Sequence, residues 1–474
     1  MNRRLLLLPA VAGLILGGCS LAPEYNQPRA PIPNEWPQGA AYNSARTTPE
    51  TVAVPQLSRK NFFPDQQMQK IITMALENNR DLRLATLNVE RARAMYGVNR
   101  AELFPAVDAS GGGGKQRLST DLIAPGDSRT LEHYTVNLGV ASWEIDFFGR
   151  IRSLSEQALD EYLATEQARR SAQIALVSEV AGVYLTLAKD LENLKLARET
   201  LKSQQGDYDI IRHRYEVGVA TELDLQRAQT RVEAAKRDIA GFTRQVAQDQ
   251  NALHLLAGSR VPEDLLPVDL SSVIPPRKIS QGLSSEVLLN RPDIMAAEYR
   301  LKGAYALIGA ARASFFPRIS LTTSIGTASD ELSGLFNSGT DVWNFAPQII
   351  MPIFDARVWA ALRVSKADQK ILLTLYEKTI QTAFKEVADA LAVQGTIDQQ
   401  LAAQQSLVRA VEKTYRLANN RYTQGLDDYL GVLDAQRSLY GQQRVLIALR
   451  LAKLVNRVNL YAVLGGGGLE DRAP

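Results

Sequence analysis

The stretch NNRDLRLATLNVERARAMYGVNRAELFP, residues Asn78–Pro105, decides how this chain is read, because it occurs twice. It aligns without gaps to NRPDIMAAEYRLKGAYALIGAARASFFP, residues Asn290–Pro317, at an offset of 212. Ten of the 28 positions are identical, among them Asp81/Asp293, Gly97/Gly309, Arg100/Arg312 and the Phe-Pro pairs Phe104-Pro105 and Phe316-Pro317. At an offset of 207, Arg214-Tyr215 with Gly218 recurs as Arg421-Tyr422 with Gly425, Leu223 as Leu430, and Ala228-Gln229 as Ala435-Gln436. Two copies of one long unit predict a pseudo-symmetric object with two internal structural repeats. The first repeat is expected over 62–268 and the second over 284–468, joined by a linker at 269–283 and followed by a short tail at 469–474.

The N-terminus speaks to location. Arg3 and Arg4 precede an apolar run, Leu5–Leu16, that is too short to span a bilayer, and Leu16-Gly17-Gly18 leads directly into Cys19. That order reads as a lipoprotein signal peptide over 1–18, cleaved before Cys19, whose sulfur then carries lipid. Cys19 is the single cysteine, so no disulfide forms within one chain. Ser20 rather than Asp after the cysteine is the outer-membrane sorting pattern. Residues 19–61, rich in Pro, Asn and Ala, read as an extended lipidated tether. The formal net charge of +3 leaves no nucleic-acid footprint.

Two segments per repeat shift to period two. Phe104 to about Arg117 and Tyr134–Asp146 form one expected hairpin (about 104–147), and Ile319–Ile325 with Trp343–Phe354 form another (about 316–354). Strands of about ten residues suit a tilted crossing of a bilayer core. No stretch after Cys19 reaches the roughly 18 continuous apolar residues of a membrane helix. Four strands cannot close a barrel, and open sheet edges are not tolerated in lipid, so other copies must complete it. Three copies would give twelve strands; two or four remain open at this point.

The rest is helical on a large scale. Phe62–Glu102 has helical character up to Pro105, and Arg150 to about Tyr215 runs without proline, roughly 100 Å of helix if continuous. After Val217-Gly218-Val219-Ala220 comes a heptad seam: Leu225, Ala228, Val232, Ala235, Ile239, Phe242, Val246, Asp249, Leu253 and Leu256. Leu187, Leu191, Leu194 and Leu201 give the preceding helix a matching stripe. Helical hairpins over about 150–258 and 357–464 are expected, each turning at a Tyr-x-x-Gly.

Enzyme chemistry leaves no trace. His133, His213 and His254 have no metal-motif spacing, and His254 reads as helix surface or packing. Gly111–Lys115 lacks the strand-loop-helix context of a phosphate loop and reads as hairpin backbone; Gly465–Gly468 reads as a helix terminator. No nucleophile-base-acid set supports a secreted hydrolase. A structural periplasmic coiled-coil lipoprotein without transport function is the alternative to a membrane duct.

Leu16–Tyr25 (LGGCSLAPEY), Asn79–Arg83 (NRDLR), Trp143–Arg150 (WEIDFFGR), Tyr162–Glu166 (YLATE), Arg291–Ile294 (RPDI), Phe315–Leu321 (FFPRISL), Glu386–Leu391 (EVADAL) and Leu433–Leu439 (LDAQRSL) together carry a family resemblance. The chain resembles the outer-membrane factors, the exit ducts of tripartite efflux pumps, and most closely their OprM-like lipoprotein branch. The resemblance implies an α+β membrane protein: a homotrimer with a twelve-stranded transmembrane β-barrel, four strands per chain, continuing into a long periplasmic α-helical barrel. It implies a covalent diacylglycerol and N-acyl lipid on Cys19 and no other cofactor. The implied partners are outer-membrane lipid, a periplasmic adaptor (membrane fusion protein) and an inner-membrane RND-type pump that supplies the energy. Drugs, solvents, dyes and Cu/Ag-type cations all remain open as cargo.

The resemblance also assigns sites. Adaptor contacts fall at Val217, Gly218, Val219 and Ala220 and at Gln424, Gly425 and Leu426. A periplasmic gate falls at Asp434, with Leu430 as apolar neighbour, Arg437 one turn on, Asp224 near the first tip and the tip tyrosines Tyr215 and Tyr422. Gly431 stands where some members carry a second acid, so the acidic ring is expected to be single. Residue chemistry alone reads Asp434 and Arg437 as an i, i+3 pair on a solvated face.

Overall fold

The computed structural model of the chain describes residues 20–42, 58–279 and 284–466; the leader, Cys19 and the C-terminal tail lie outside the described residues. After a single helical turn at Arg59–Phe62 come α1 (Gln66–Asn78) and α2 (Arg80–Ala101). Strands β1 (Asp108–Arg117) and β2 (Thr130–Ile145) follow, then the helices α3 (Arg150–Glu216) and α4 (Glu222–Ala257). The order then recurs: α5 (Pro292–Ala313), β3 (Arg318–Ser329), β4 (Asp341–Ile350), α6 (Ala356–Thr423) and α7 (Tyr429–Val463).

Several boundaries depart from the sequence expectation, each for a local reason. The helical run from Phe62 breaks at Asn79, which takes an extended ψ of 132°. Its side chain accepts from Leu82 N at 2.9 Å to start α2 and donates to the Leu256 carbonyl at 3.0 Å. One asparagine thus ends a helix, caps the next and ties both to α4. β2 begins at Thr130, earlier than the alternation suggested, and runs 16 residues. It bulges between Val140 and Trp143, where Ser142 adopts φ +52° and its amide donates to Thr322 Oγ1 at 3.1 Å.

The strands form one sheet in the order β1-β2-β3-β4, antiparallel throughout. The two expected hairpins are therefore joined by the pairing of β2 with β3. Gly111–Gly114 lie inside β1 as regular strand, paired with Val136 to His133.

Chain contacts divide the fold into two compact units, each drawing on both halves of the sequence: Met1–Arg29, Asn88–Glu166 and Ala296–Tyr376 in one, Ala30–Leu87, Gln167–Met295 and Glu377–Pro474 in the other. In the first, the described part of the expected tether is pinned. Arg312 Nη1 donates to the Leu21 carbonyl at 3.0 Å, and the Tyr25 hydroxyl donates to Glu298 at 3.2 Å with its ring edge-on to Tyr305. A Cβ at Gly309 would lie 2.7 Å from Ser153 Oγ and 2.9 Å from Ala22, so glycine is what lets this segment approach.

In the second unit the helices bury Val177, Val180, Ala181, Tyr184, Leu185 and Ala188 of α3, and Phe62 stacks on Tyr461 at 4.5 Å. The heptad seam closes where predicted: Ala228, Val232, Ala235, Phe242 and Leu253 are buried, with Leu194 and Ala197 packed on Phe242. Although no run is continuously apolar, a window of α3 reaches a mean hydropathy of 1.4, enough by length and composition to cross a membrane. Nearly half of that window is buried within the chain, which accounts for its apolar character as helix packing.

Candidate functional site

The two hairpin ends are built alike. Just past the end of α3 comes Gly218 (φ +80°), with Gly218 N bonded to the Tyr215 carbonyl at 2.9 Å and Val219 N to the Arg214 carbonyl at 2.8 Å. Just past the end of α6, Gly425 (φ +74°) makes the matching pair, Gly425 N to the Tyr422 carbonyl at 3.0 Å and Leu426 N to the Arg421 carbonyl at 2.9 Å. These are left-handed glycine terminators that satisfy the last helical carbonyls. The turns leave Val217, Val219 (70% exposed) and Leu223 in solvent at one end, and Leu426 (60% exposed) and Leu430 at the other.

Beyond the turns the ends differ. Thr221 and Asp224 form a reciprocal capping box, Asp224 N donating to Thr221 Oγ1 at 3.2 Å and Thr221 Oγ1 to Asp224 Oδ2 at 2.7 Å. The Asp224 carboxylate is thus engaged in starting α4. At the second end Asp428 caps α7 by accepting from Gly431 N at 3.4 Å, and Arg421 holds Asp427 through two bonds of 2.6 and 2.9 Å. Arg421 stabilises the ionised form, which holds the Asp427 carboxyl below its ordinary value.

The two helical hairpins meet just behind their ends. Ile211, Ala228, Tyr429, Val432 and Leu433 are buried together, with Tyr208, Tyr415 and Tyr422 packed around them. Arg214 lies over the Tyr422 ring at 5.1 Å, and Tyr422 meets Tyr429 at 5.1 Å. Gln436 Nε2 donates to Asp207 Oδ2 at 3.1 Å. Burial pushes the Asp207 carboxyl above its ordinary value, partly countered by that bond. Nearby, burial and the neighbouring Arg437 depress the Arg231 guanidinium.

Of the expected gate residues, Tyr422 lies in this cluster. Asp434 and Arg437 form an exposed i, i+3 pair at 3.1 Å. Leu430 and Tyr215 are exposed, and Asp224 belongs to its cap. Sequence reasoning missed Asp207, Gln436, Arg231 and Tyr429. Gln436 carried a signal, since Ala228-Gln229 recurs as Ala435-Gln436, but the repeat gives no partner. His254 has a structural role: its Nδ1 accepts from Val261 N at 3.1 Å just beyond α4. Among the described residues no group of three or more His, Cys, Asp or Glu side chains is arranged to hold a metal.

The sheet register sorts its residues into two faces. On one, Val136, Leu138 and Val140 of β2 pair with Gly111, Ala109 and β3 residues, and Ile325, Thr323, Leu321 and Ile319 pair with Trp343, Phe345, Pro347 and Ile349. The other carries Ser110, Thr135, Asn137, Ser320, Thr322, Ser324, Asn344 and Gln348, with Val342, Ala346 and Ile350 of β4 among them. The extra residue of the bulge switches parity within β2, which returns Trp143 and Ile145 to the apolar face opposite Leu321 and Ile319. At the end of β2, Glu144 on the polar face accepts two bonds of 2.8 Å from Arg150 and one of 2.9 Å from Arg318.

The family described as outer membrane efflux protein matches residues 71–259 and 283–466, and the chain belongs to that family. It is 48% identical to a toluene efflux pump outer membrane protein, TtgC of Pseudomonas putida, over 99% of this chain and 97% of that one. Identity and coverage are the same for ArpC, an antibiotic efflux pump outer membrane protein of the same species. The open-state outer membrane channel MtrE of Neisseria gonorrhoeae superposes with a TM-score of 0.84 at 38% identity, covering 95% of this chain and 98% of MtrE. The chain is therefore an outer-membrane component of an efflux system. Its relatives are channel proteins and not enzymes.

Proposed function

We propose that three copies of the chain form a passive exit duct for drugs, organic solvents or other toxic small molecules. Each copy gives four strands to a twelve-stranded outer-membrane barrel and two helical hairpins to a periplasmic α-barrel. The observation that carries this reading is the sheet register. Its two faces differ as lipid-facing and lumen-facing sides must, and both outer strands, β1 and β4, are ten residues long with one edge unpaired. Within lipid such edges have to be closed, and copies of the same sheet close them without adding any new element.

The hairpin ends would dock a periplasmic adaptor through Val217, Gly218, Val219 and Ala220 and through Gln424, Gly425 and Leu426, linking the duct to an inner-membrane RND-type pump. Exposed Val219 and Leu426 supply the apolar contact. Asp434, with Leu430 and Arg437, would line the constriction at that end, and lipid on Cys19 would anchor the chain. Three like charges at a constriction repel unless paired or hydrated, so the Arg437 partner bears on the closed state. The test is conductance of purified protein in planar bilayers. Wild type should give small channels, and Asp434→Ala with Arg437→Ala larger ones. Silence of both would end the duct reading.

A further inference from the structure

On the apolar face the middle of β1 is bare. Its residues there are Ala109, Gly111, Gly113, Lys115 and Arg117, whereas β4 presents Asp341, Trp343, Phe345, Pro347 and Ile349. The sheet shows how such bareness is managed on the paired side. A Cβ at Gly113 would lie 2.7 Å from Cδ1 of Tyr134, because the Tyr134 ring lies over that glycine from β2. Gly111, by contrast, has only the Thr135 carbonyl oxygen within 4 Å, at 3.9 Å. At the opposite edge of the sheet Trp343 is 78% exposed and Phe345 61%. One edge thus has no side chains at its middle positions, Gly111 and Gly113, and the other holds two large rings without cover.

We infer that the seam between adjacent copies is an aromatic-over-glycine joint, in which Trp343 and Phe345 of one copy cover the Gly111–Gly114 run of the next. This rests on the barrel reading above. The two edge strands have equal length, and in a closed up-and-down barrel β4 of one copy runs antiparallel to β1 of its neighbour. Flush ends pair Asp108 with Ile350 and Arg117 with Asp341. Parity is then kept, apolar face against apolar face: Gly113 falls opposite Phe345, Gly111 opposite Pro347, and Lys115 opposite Trp343. A slip of two residues keeps parity and brings Trp343 opposite Gly113. Aromatic side chains reach both directly opposite and diagonal neighbours, and rings laid over strand glycines compensate for the missing side chains. Lys115, which pairs with Glu132 in its own copy, would add a cation beside the Trp343 ring. The joint is directional, since its two halves lie on different edges, so it favours ring closure by identical copies.

The test uses the full-length lipidated protein, whose natural sequence offers no thiol other than Cys19. Single cysteines at position 113 would be combined in one chain with cysteines at 343, 345 or 347. Inter-chain disulfides should form strongly with one of the three and identify the register. Separately, Trp343→Ala and Phe345→Ala should each lower the temperature at which native trimers dissociate on gels by about 5 °C or more. Phe336→Ala, an exposed aromatic in the link between β3 and β4, should leave it unchanged. Stable trimers that neither cross-link nor respond to either substitution would overturn the joint while leaving the duct intact. Wild-type protein that never forms trimers would overturn both.

Discussion

If the duct opens by parting its helical hairpins, the bond between Gln436 on α7 and Asp207 on α3 must break, which makes Gln436→Leu informative. Gln436 is only 7% exposed, and its Nε2 lies 3.1 Å from Asp207 Oδ2. Leucine keeps the volume but withdraws the donor from a carboxyl that burial already pushes upward. Leaving a buried acceptor unsatisfied costs about 1–3 kcal/mol, and because Asp207 is partly open to solvent we take about 1–2 kcal/mol. At 1.4 kcal/mol per tenfold, the ratio of open to closed should rise roughly 5- to 30-fold per chain. Open-time fraction of single channels in planar bilayers reads this directly. The effect should shrink as pH falls, because protonation of Asp207 weakens the charge-assisted bond in wild type. It should also vanish in an Asp207→Leu background, where the acceptor is gone. An open fraction within twofold of wild type, or an equal effect with and without Asp207, would refute the reasoning.

Other outcomes follow from local geometry. Gly258 has φ +67°, and a Cβ there would lie 2.3 Å from the Asn78 carbonyl oxygen, whereas Gly218 has φ +80° and nothing within 4 Å. Gly258→Ala should therefore cost clearly more than the roughly 1–2 kcal/mol of left-handed strain expected for Gly218→Ala, as read by thermal unfolding in detergent; equal losses would deny the clash. Burial and Glu156 raise the Asp160 carboxyl to about 7, above its unfolded value of 3.8, so the fold binds extra protons and loses stability as pH rises through that window. Full conversion would give about 4 kcal/mol; discounted for partial solvent access, Asp160→Asn should gain about 1–2 kcal/mol at pH 8 and nothing below pH 4, with a pH-independent gain arguing against the titration. Buried Arg291 binds the Val463 carbonyl at 2.6 Å and pairs with Asp293 and Glu386 at 2.7 and 2.9 Å. Arg291→Leu should lower stability by about 2–3 kcal/mol, below the full cost of a buried pair because both acids can rehydrate; an unchanged unfolding temperature would reduce the network to decoration.

The parts legible in the sequence are those whose cause is local. The seam of α4 shows because Ala228, Val232 and Ala235 recur at steps of 3 and 4 along one helix, and the strands show because β3 alternates residue by residue. The unread parts depend on residues far apart in sequence or on a single backbone angle. Pairing of β2 with β3 spans both long helices. The bulge at Ser142 switches which residues of β2 lie on the apolar face, yet nothing about serine announces a φ of +52°. The repeated glycines were legible as a pair, but only Gly309 is demanded by a neighbour; Gly97 has nothing within 4 Å.

The hairpin ends show how two copies of one motif acquire different roles. Arg214-Tyr215 and Arg421-Tyr422 are the same dipeptide at the same place in the same turn. Their arginines nevertheless act differently: Arg214 covers the Tyr422 ring of the other hairpin, while Arg421 is held by Asp427 of its own turn. The position matching Asp427 in the first copy is Ala220, so no acid captures Arg214 there. One alanine-to-aspartate difference therefore sends one arginine inward along its own turn and leaves the other to bridge the hairpins. In the proposed duct, asymmetry of this kind would let near-identical hairpins build one wall and still carry, at alternate positions around it, contacts that distinguish a closed end from an open one.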